Sequence, residues 1–450
     1  MHEQLLNELA RIRGMNVIAR TSVLRYAKDP QPIPQIASAL NVETVMEGSV
    51  RYAGDKVRVT AQLIDGTSGA HLWTENYDGD LSDVFKIQTD IATTIAKSLE
   101  AELLPETRAQ IEKPPTDSPA AYALFLQASG SAFAERPHEA IALLDRAIEI
   151  DPQFAAAHAA KGEIKSMMLI NGFVAAPNEP EALRDLERSA IADADRALGM
   201  DPNLGAAWNA RGLVNQLCWR WKSAERDFAK ALELGPNDPG ALSGSALFLA
   251  DKGACDQALV LARRLMNVNP LVTTSYTPMV MVGNICRHPG ESLAAARKLR
   301  ELAPGHAGMI AMEGHAQLGL GDFAAAASAY RMAEDLMTDA TGHFLPAIIY
   351  GYGIMGRRQD ALRVFGRYKA WAEQHPAGAG GWQFAYLGIG EADTAHEWLT
   401  RNLGVVERGE PDAGYFAFLV LKQNVHDDPV LKQPRFRKLF NQIDELARSR

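Results

Sequence analysis

Four prolines, Pro202, Pro236, Pro270 and Pro304, stand 34 residues apart. A fixed period of this length restricts the chain to repeated units, each too small to bury its own apolar face, that must stack on their neighbours. Twelve positions before each proline lies a small residue: Ala190, Ala224, Ala258 and Ser292. Antiparallel helices that cross closely need small side chains at the crossing, because bulk there overpacks the contact. The period therefore predicts helical hairpins in series. An earlier unit carries Leu124, Ala140, Ala147 and Pro152, and the next carries Gly162, Ala190, Ala197 and Pro202 with an insertion around Asn171 to Pro180. Weaker units follow at Gly314, Ala326, Tyr330 and Ala333, then at Ala361 and Phe365, before Pro376 to Gly381 interrupts the series. Trp382, Tyr386, Ala395 and Leu399 read as a last, degenerate unit, and the tail from Asp427 to Arg450 as a more polar helix capping the open end.

Ahead of the repeat the periodicity changes. Leu5, Leu9 and Ile12 fit a helical face, Asn16 to Arg20 reads as a short strand, and Ile33, Ile36, Ala37 and Leu40 form a second small helix. Val57, Val59, Ala61 and Leu63 alternate with Arg58, Thr60 and Gln62, so one face of that strand is dry and the other wet. Turn-forming clusters at 53–55 and 66–69 flank it, which predicts an antiparallel meander with strands near 44–52 and 71–77. Val84, Ile87, Ile91, Ile95 and Leu99 then make the stripe of a covering helix. Pro105, Pro114, Pro115 and Pro119 interrupt any helix that would follow. The expected class is α+β overall: a small α/β unit with a mostly antiparallel sheet over 1–104, a Pro-rich linker over 105–120, an all-α repeat array over 121–375, and a degenerate repeat with capping helices over 376–450.

Composition excludes several functions. Forty-seven per cent of the 450 residues are apolar and 22% charged, enough for an ordinary core. Forty-six Lys plus Arg against 55 Asp plus Glu leave a net charge of −9, which gives no general attraction to a phosphate backbone, so nucleic acid is not an expected partner. No apolar run reaches a membrane-spanning length and the amino terminus reads as an amphipathic helix, so the chain as it stands is expected in the cytoplasm. Cys218, Cys255 and Cys286 are widely spaced and lack a CxxC pattern, and are expected as three separate buried thiols.

One unit, with Trp208, Gly212, Ala224, Phe228, Ala231 and Pro236, resembles the tetratricopeptide repeat at that family's own spacing. The first part of the chain also has a family look. Asn16-Val-Ile-Ala-Arg-Thr, Val45-Met-Glu-Gly-Ser-Val-Arg51, Val57 to Asp65, His71-Leu-Trp-Thr-Glu-Asn-Tyr77 and Asp80 to Phe85 resemble the TolB-like (FlgO-like) amino-terminal domain. That resemblance implies a domain often joined to tetratricopeptide repeats behind a class III adenylate cyclase domain or a winged-helix regulator domain, neither of which is seen in this sequence. Its membrane-anchored members would place this portion in the periplasm. The family's first strand, which should precede the first helix, is also not seen, and self-association through the incomplete sheet at 16–20 is expected.

Motifs of catalysis are sparse. Gly351-Tyr-Gly353-Ile-Met-Gly356 has the dinucleotide glycine spacing but falls inside a repeat helix, where no amides would meet a pyrophosphate. Asp78, Asp80 and Asp83 crowd one loop without the glycine and glutamate an EF-hand requires. His306, His315 and His343 lack HExxH spacing. No catalytic residue, cofactor or metal is therefore expected, and recognition remains. The tetratricopeptide resemblance implies a concave groove lined by the first helix of each hairpin, placing Asn209, Leu213, Gln216, Ser243, Leu247, Thr277, Met281, Asn284 and His315 toward a protein or peptide partner. The lining is apolar and amide-bearing with almost no cations, unlike repeats that clamp a C-terminal carboxylate. Trp219 and Trp221 are either an exposed anchor or packing between repeats, the latter favoured. The expected function is a non-enzymatic interaction scaffold or signalling module; the alternative is the regulatory output part of an adenylate cyclase or transcription regulator whose effector domain lies elsewhere.

Overall fold

The computed structural model describes residues 29–53, 56–80, 84–99, 115–128, 136–171, 180–375, 381–408 and 428–449, with Leu9, Val17, Ile18, Ser22, Val23 and Tyr26 before them. Of the expected strand at 16–20 only Val17 and Ile18 are described, neither of them as strand, and most of the expected insertion in the second hairpin lies outside the described residues. A short helix α1 (Ile33–Leu40) leads into strands β1 (Thr44–Ala53), β2 (Lys56–Asp65) and β3 (His71–Asp80), and helix α2 (Val84–Ser98) follows. The strands form an antiparallel sheet in sequence order, with Val50 opposite Val59 and Val59 opposite Tyr77. The alternation in β2 acts as the pleat requires: Val57, Val59 and Ala61 are buried against Ile87, Ile91, Ala92 and Ile95 of α2. On the other face Arg58 binds Asp78 at 2.6 Å and Thr60 Oγ1 donates to Asn76 at 2.6 Å, cross-strand pairs with both members exposed. Asp65 closes the β2–β3 turn by accepting from the Ser68 amide and hydroxyl, each at 2.6 Å, which holds its carboxyl below the usual range.

Among the described residues, eight helical hairpins follow. They are α3 (Pro119–Ala128) with α4 (Pro137–Ile150), α5 (Ala155–Asn171) with α6 (Pro180–Met200), α7 (Gly205–Leu217) with α8 (Trp221–Leu234), and α9 (Pro239–Asp251) with α10 (Cys255–Val268). Then come α11 (Thr277–Ile285) with α12 (Pro289–Leu302), α13 (Ala307–Gly319) with α14 (Phe323–Leu336), α15 (Leu345–Ile354) with α16 (Arg358–Gln374), and α17 (Trp382–Ile389) with α18 (Ala392–Glu407). Helix α19 (Pro434–Ser449) ends the chain's described part. The period is written in the backbone. Positive φ values fall at Trp219, Gly253, Arg287, Gly321, Gly356 and Gly390, in the turn inside six successive hairpins, where a left-handed residue reverses the chain between helices. Glycine adopts that conformation without cost; Trp219 does so because its ring is fully buried and stacked 5.4 Å from Trp221. The small residues sit at the crossings: Ala190, Ala224, Ala258 and Ser292 are all fully buried, and the Ser292 hydroxyl donates to the Val280 carbonyl at 3.0 Å.

First helices pack on first helices all along the stack, α5 on α7, α7 on α9, and so on to α15 on α17, whereas each second helix packs on the first helix of its own and of the next hairpin. Closer spacing on the first-helix side curves the stack toward it, so the first helices line the concave face. Buried carboxylates tie helices together both within and across hairpins. Glu334 of α14 receives Arg363 of α16 at 2.5 Å and the Tyr352 hydroxyl at 2.8 Å, and Asp193 of α6 receives Lys165 of α5 at 2.5 Å.

Two expectations change here. Cys255 and Cys286 are joined in a disulfide, leaving Cys218 as the buried free thiol, its ionisation pushed up by burial. The hairpin period explains the pairing: the first residue of a second helix lies beside the residue that caps the next first helix, 31 positions on, with Cα atoms 5.4 Å apart. The tail helix does more than cap an open end. Phe436, Leu439, Phe440 and Ile443 of α19 join one apolar cluster with Leu399 and Leu403 of α18 and with Trp219, Trp221 and Phe228, and Lys222 of α8 donates to the Ser449 carbonyl at 2.9 Å. The eighth hairpin is thereby bridged to the third. The small α/β unit touches the opposite rim: Ser22 Oγ donates to Asn269 Oδ1 at 2.5 Å and accepts from the Leu271 amide at 3.1 Å, in the turn between the fourth and fifth hairpins.

Candidate functional site

The expected contact residues all belong to first helices. Asn209 and Gln216 of α7 are only 2% and 4% exposed, while Leu213, Ser243, Leu247, Thr277, Met281, Asn284 and His315 are half-buried. Their partners differ. Gln216 Nε2 donates to Asp251 Oδ2 at 2.6 Å, tying α7 to the end of α9. Asn284 Oδ1 accepts from Ser292 at 2.8 Å and so is turned into its own hairpin. His315 is bonded through Nδ1 to the Ala311 carbonyl at 3.0 Å and sits edge-on to Tyr330, and its burial lowers its proton affinity. Thr277 Oγ1 reaches Met309 of the next first helix at 3.8 Å. Leu213, Leu247 and Met281 recur at one position of three successive first helices, 34 residues apart, and all three are half-buried.

Asn209 lies at a polar focus. Around Gly240, in the first turn of α9, three side-chain atoms converge on the point where a β-carbon would stand: Asn209 Nδ2 at 3.1 Å, Asp238 Oδ1 at 3.2 Å and Glu163 Oε1 at 3.3 Å. Gly244, one turn on, leaves room for the same amide, since a β-carbon there would lie 2.6 Å from Asn209 Oδ1. Asp238 caps α9 by accepting from the Ala241 amide at 2.8 Å. Glu163 of α5 makes no hydrogen bond or ion pair among the described residues, and burial together with the negative charge of Asp238 pushes its carboxyl up to about 7. The sequence reading missed Glu163 and Asp238. Glu163 follows Gly162 as Leu213 follows Gly212, so the register that placed Leu213 on the concave face also places Glu163 there.

The motifs of other chemistries are absorbed by structure. Gly351 and Gly353 lie within α15, and a β-carbon on either would collide, with Tyr330 Oη at 2.3 Å and with the Gly388 carbonyl oxygen at 2.5 Å; they serve close packing, not phosphate binding. Asp78 and Asp80 are engaged by Arg58 and Lys56 of the neighbouring strand, each at 2.6 Å, and Asp83 lies outside the described residues. Among the described residues no group of three or more His, Cys, Asp or Glu side chains is placed to hold a metal ion, and no helix is long and apolar enough to cross a membrane.

These features define an α-solenoid of tetratricopeptide-like hairpins carrying a small α/β unit. No protein-family profile matches the chain. A protein of Rhizobium meliloti (strain 1021), described as a candidate adenylate cyclase 3, is 37% identical over 172 residues, a match that spans 38% of this chain and 29% of that protein. Among solved structures, a tetratricopeptide repeat protein from Parabacteroides merdae ATCC 43184 is 13% identical with a TM-score of 0.39, covering 60% of this chain and all of that one. PilW, a type IV pilus biogenesis factor, is 16% identical with a TM-score of 0.37 over 48% of this chain and 94% of its own. YrrB, described as a tetratricopeptide repeat protein with an unusual peptide-binding site, is 21% identical with a TM-score of 0.30 over 43% and 92%.

Proposed function

We propose that the chain is a non-enzymatic scaffold whose concave face holds an extended or helical segment of a protein partner. The observation that carries this reading is the continuous layer of first helices from α5 to α17, with an apolar stripe at Leu213, Leu247 and Met281 beside buried amides at Asn209 and Gln216. A face of this kind offers an apolar anchor and fixed hydrogen-bonding groups, the combination that recognises a peptide. The amino-terminal unit, in this reading, is TolB-like, which its meander and covering helix support. Leu213→Arg combined with Leu247→Arg tests the proposal: binding of a partner isolated with the wild-type chain should be lost while helix content is unchanged. Retained binding would move the interface elsewhere.

The identity to the Rhizobium protein favours a second reading, in which the chain is the output part of a longer cyclase-like protein or regulator. A cyclase domain supplied on a separate chain should then change its turnover of ATP when this chain is added. Unaltered turnover would leave the scaffold reading alone.

A further inference from the structure

We propose that the Cys255–Cys286 disulfide is a redox clamp, a bond that a dithiol opens in the folded chain and a small disulfide re-forms, and that sets how firmly the fourth and fifth hairpins and the amino-terminal unit docked between them are held. The bond ties the first residue of α10 to the residue that caps α11. Stacking does not need it. The same two positions are filled by Trp221 and Lys252 one hairpin earlier and by Pro289 and Leu320 one hairpin later, and there α8 packs on α9, and α12 on α13, with no covalent tie. A bond that a self-similar array does without at its neighbouring junctions serves something other than the array's assembly. Both cysteines are half-buried and so within reach of a thiol, whereas Cys218 is fully buried and its ionisation is suppressed.

The clamp's position gives it reach. Residues 255–286 form a closed ring of α10, a turn and α11, with the bond at one end. At the other end Asn269 and Leu271 hold the amino-terminal unit. Ser22 Oγ bonds both of them, Ser22 and Asn269 are buried, and Ile36 and Leu40 of α1 share an apolar cluster with Leu271. Opening the ring frees α10 to move against α11 and loosens the turn that carries this contact. The chemistry is directional. Cys255 starts α10, where the helix dipole favours a thiolate, and Cys286 ends α11, where it does not. A thiolate of the dithiol therefore attacks the Cys286 sulfur, the S–S bond breaks and its electron pair leaves on Cys255. The second thiolate of the dithiol then displaces Cys286, so the reductant ends as a disulfide and the protein as two thiols that take up the reductant's two protons.

Hydrogen exchange of the full chain, read by mass spectrometry before and after dithiothreitol, tests the clamp. Reduction should speed exchange about tenfold in α10, α11 and α1 and leave α7 and α15 unchanged, and replacing the reductant with oxidised glutathione should restore the starting pattern. Cys255→Ser should reproduce the reduced pattern and no longer respond to dithiothreitol. Cys218→Ser, which leaves the bond intact, should respond as the wild type does. Unchanged exchange in α10 and α11 after reduction would overturn the clamp, as would an α1 that stays protected while those two helices open. Loss of protection throughout the stack, or a bond that does not re-form, would overturn it too and make the disulfide a structural staple. Circular dichroism of each variant keeps loss of fold from being read as local opening.

Discussion

Gly353→Ala adds one methyl group where two helix backbones meet. A β-carbon at Gly353 would lie 2.5 Å from the Gly388 carbonyl oxygen and 2.6 Å from its Cα, and one at Gly388 would lie 2.4 Å from the Ile349 carbonyl oxygen. No rotamer relieves this, since both sides are main chain, and α15 and α17 must separate by about 1 Å to restore ordinary contact, forfeiting a quarter to a half of the dispersion attraction along the seam. Ile348, Ile349, Tyr352 and Ala385, all buried there, lose partners. Against this, alanine favours a helix over glycine by about 1 kcal/mol. Overpacking costs about 1–3 kcal/mol, towards the upper end where main chain meets main chain, so the net effect is a destabilisation of up to about 2 kcal/mol. Gly366→Ala is the control, because Gly366 is an exposed mid-helix residue of α16 with nothing within 4 Å of a β-carbon. It should stabilise by about 0.5–1 kcal/mol. Urea unfolding followed by far-ultraviolet circular dichroism reads both. Opposite signs are expected; stabilisation by both variants would refute the α15–α17 contact and reopen the glycine motif.

Glu163→Gln should stabilise the free chain in a pH-dependent way. The folded carboxyl holds its proton up to about 7 against 4.5 ordinarily, so the native state binds the extra proton in that window and wild-type stability falls as pH rises through it. The gain from glutamine is near zero at about pH 4 and reaches about 3 kcal/mol at about pH 8 by the linkage of 1.36 kcal/mol per unit, and a urea midpoint difference that does not vary with pH would contradict it. Reduction of Cys255–Cys286 opens a loop of sequence separation 31 and should lower stability by about 3 kcal/mol. Thiol titration of the unreduced, denatured protein should then find Cys218 alone; three thiols would refute the bond. Ala224→Arg forces a charge into a fully buried crossing of α7 with α8 and should cost several kcal/mol, about 3 or more, so an unchanged melting curve would discredit the hairpin register.

Much of this architecture was legible because it is local. Helical period, the small residue at each crossing, the alternation in β2 and the turn clusters beside it are properties of a few neighbouring residues, and they dictated hairpins and a meander before any contact was known. The dinucleotide-like glycines were read as part of a helix for the same reason. The candidate site was legible only in part. Periodicity put Leu213, Leu247 and Met281 on one stripe, but it could not tell that Asn284 is held by Ser292, or His315 by Ala311 and Tyr330, because those bonds depend on how each side chain turns between two helices.

Stacking decided the rest. A period states that units resemble one another; the small rotation from each unit to the next, accumulated over eight hairpins, settles which distant residues meet. That rotation brings α19 back to α8, sets Cys255 beside Cys286, and gathers Glu163, Asn209, Asp238 and Gly240 from three hairpins around one point. The sequence by itself determined the units and the face each presents, since both follow from short-range packing and backbone chemistry. The tertiary structure alone decided the disulfide, the bridge from the eighth hairpin to the third and the uncompensated carboxylate of Glu163: the first and last are made where one hairpin packs on the next, and the bridge where the curvature of the whole stack carries distant groups into contact.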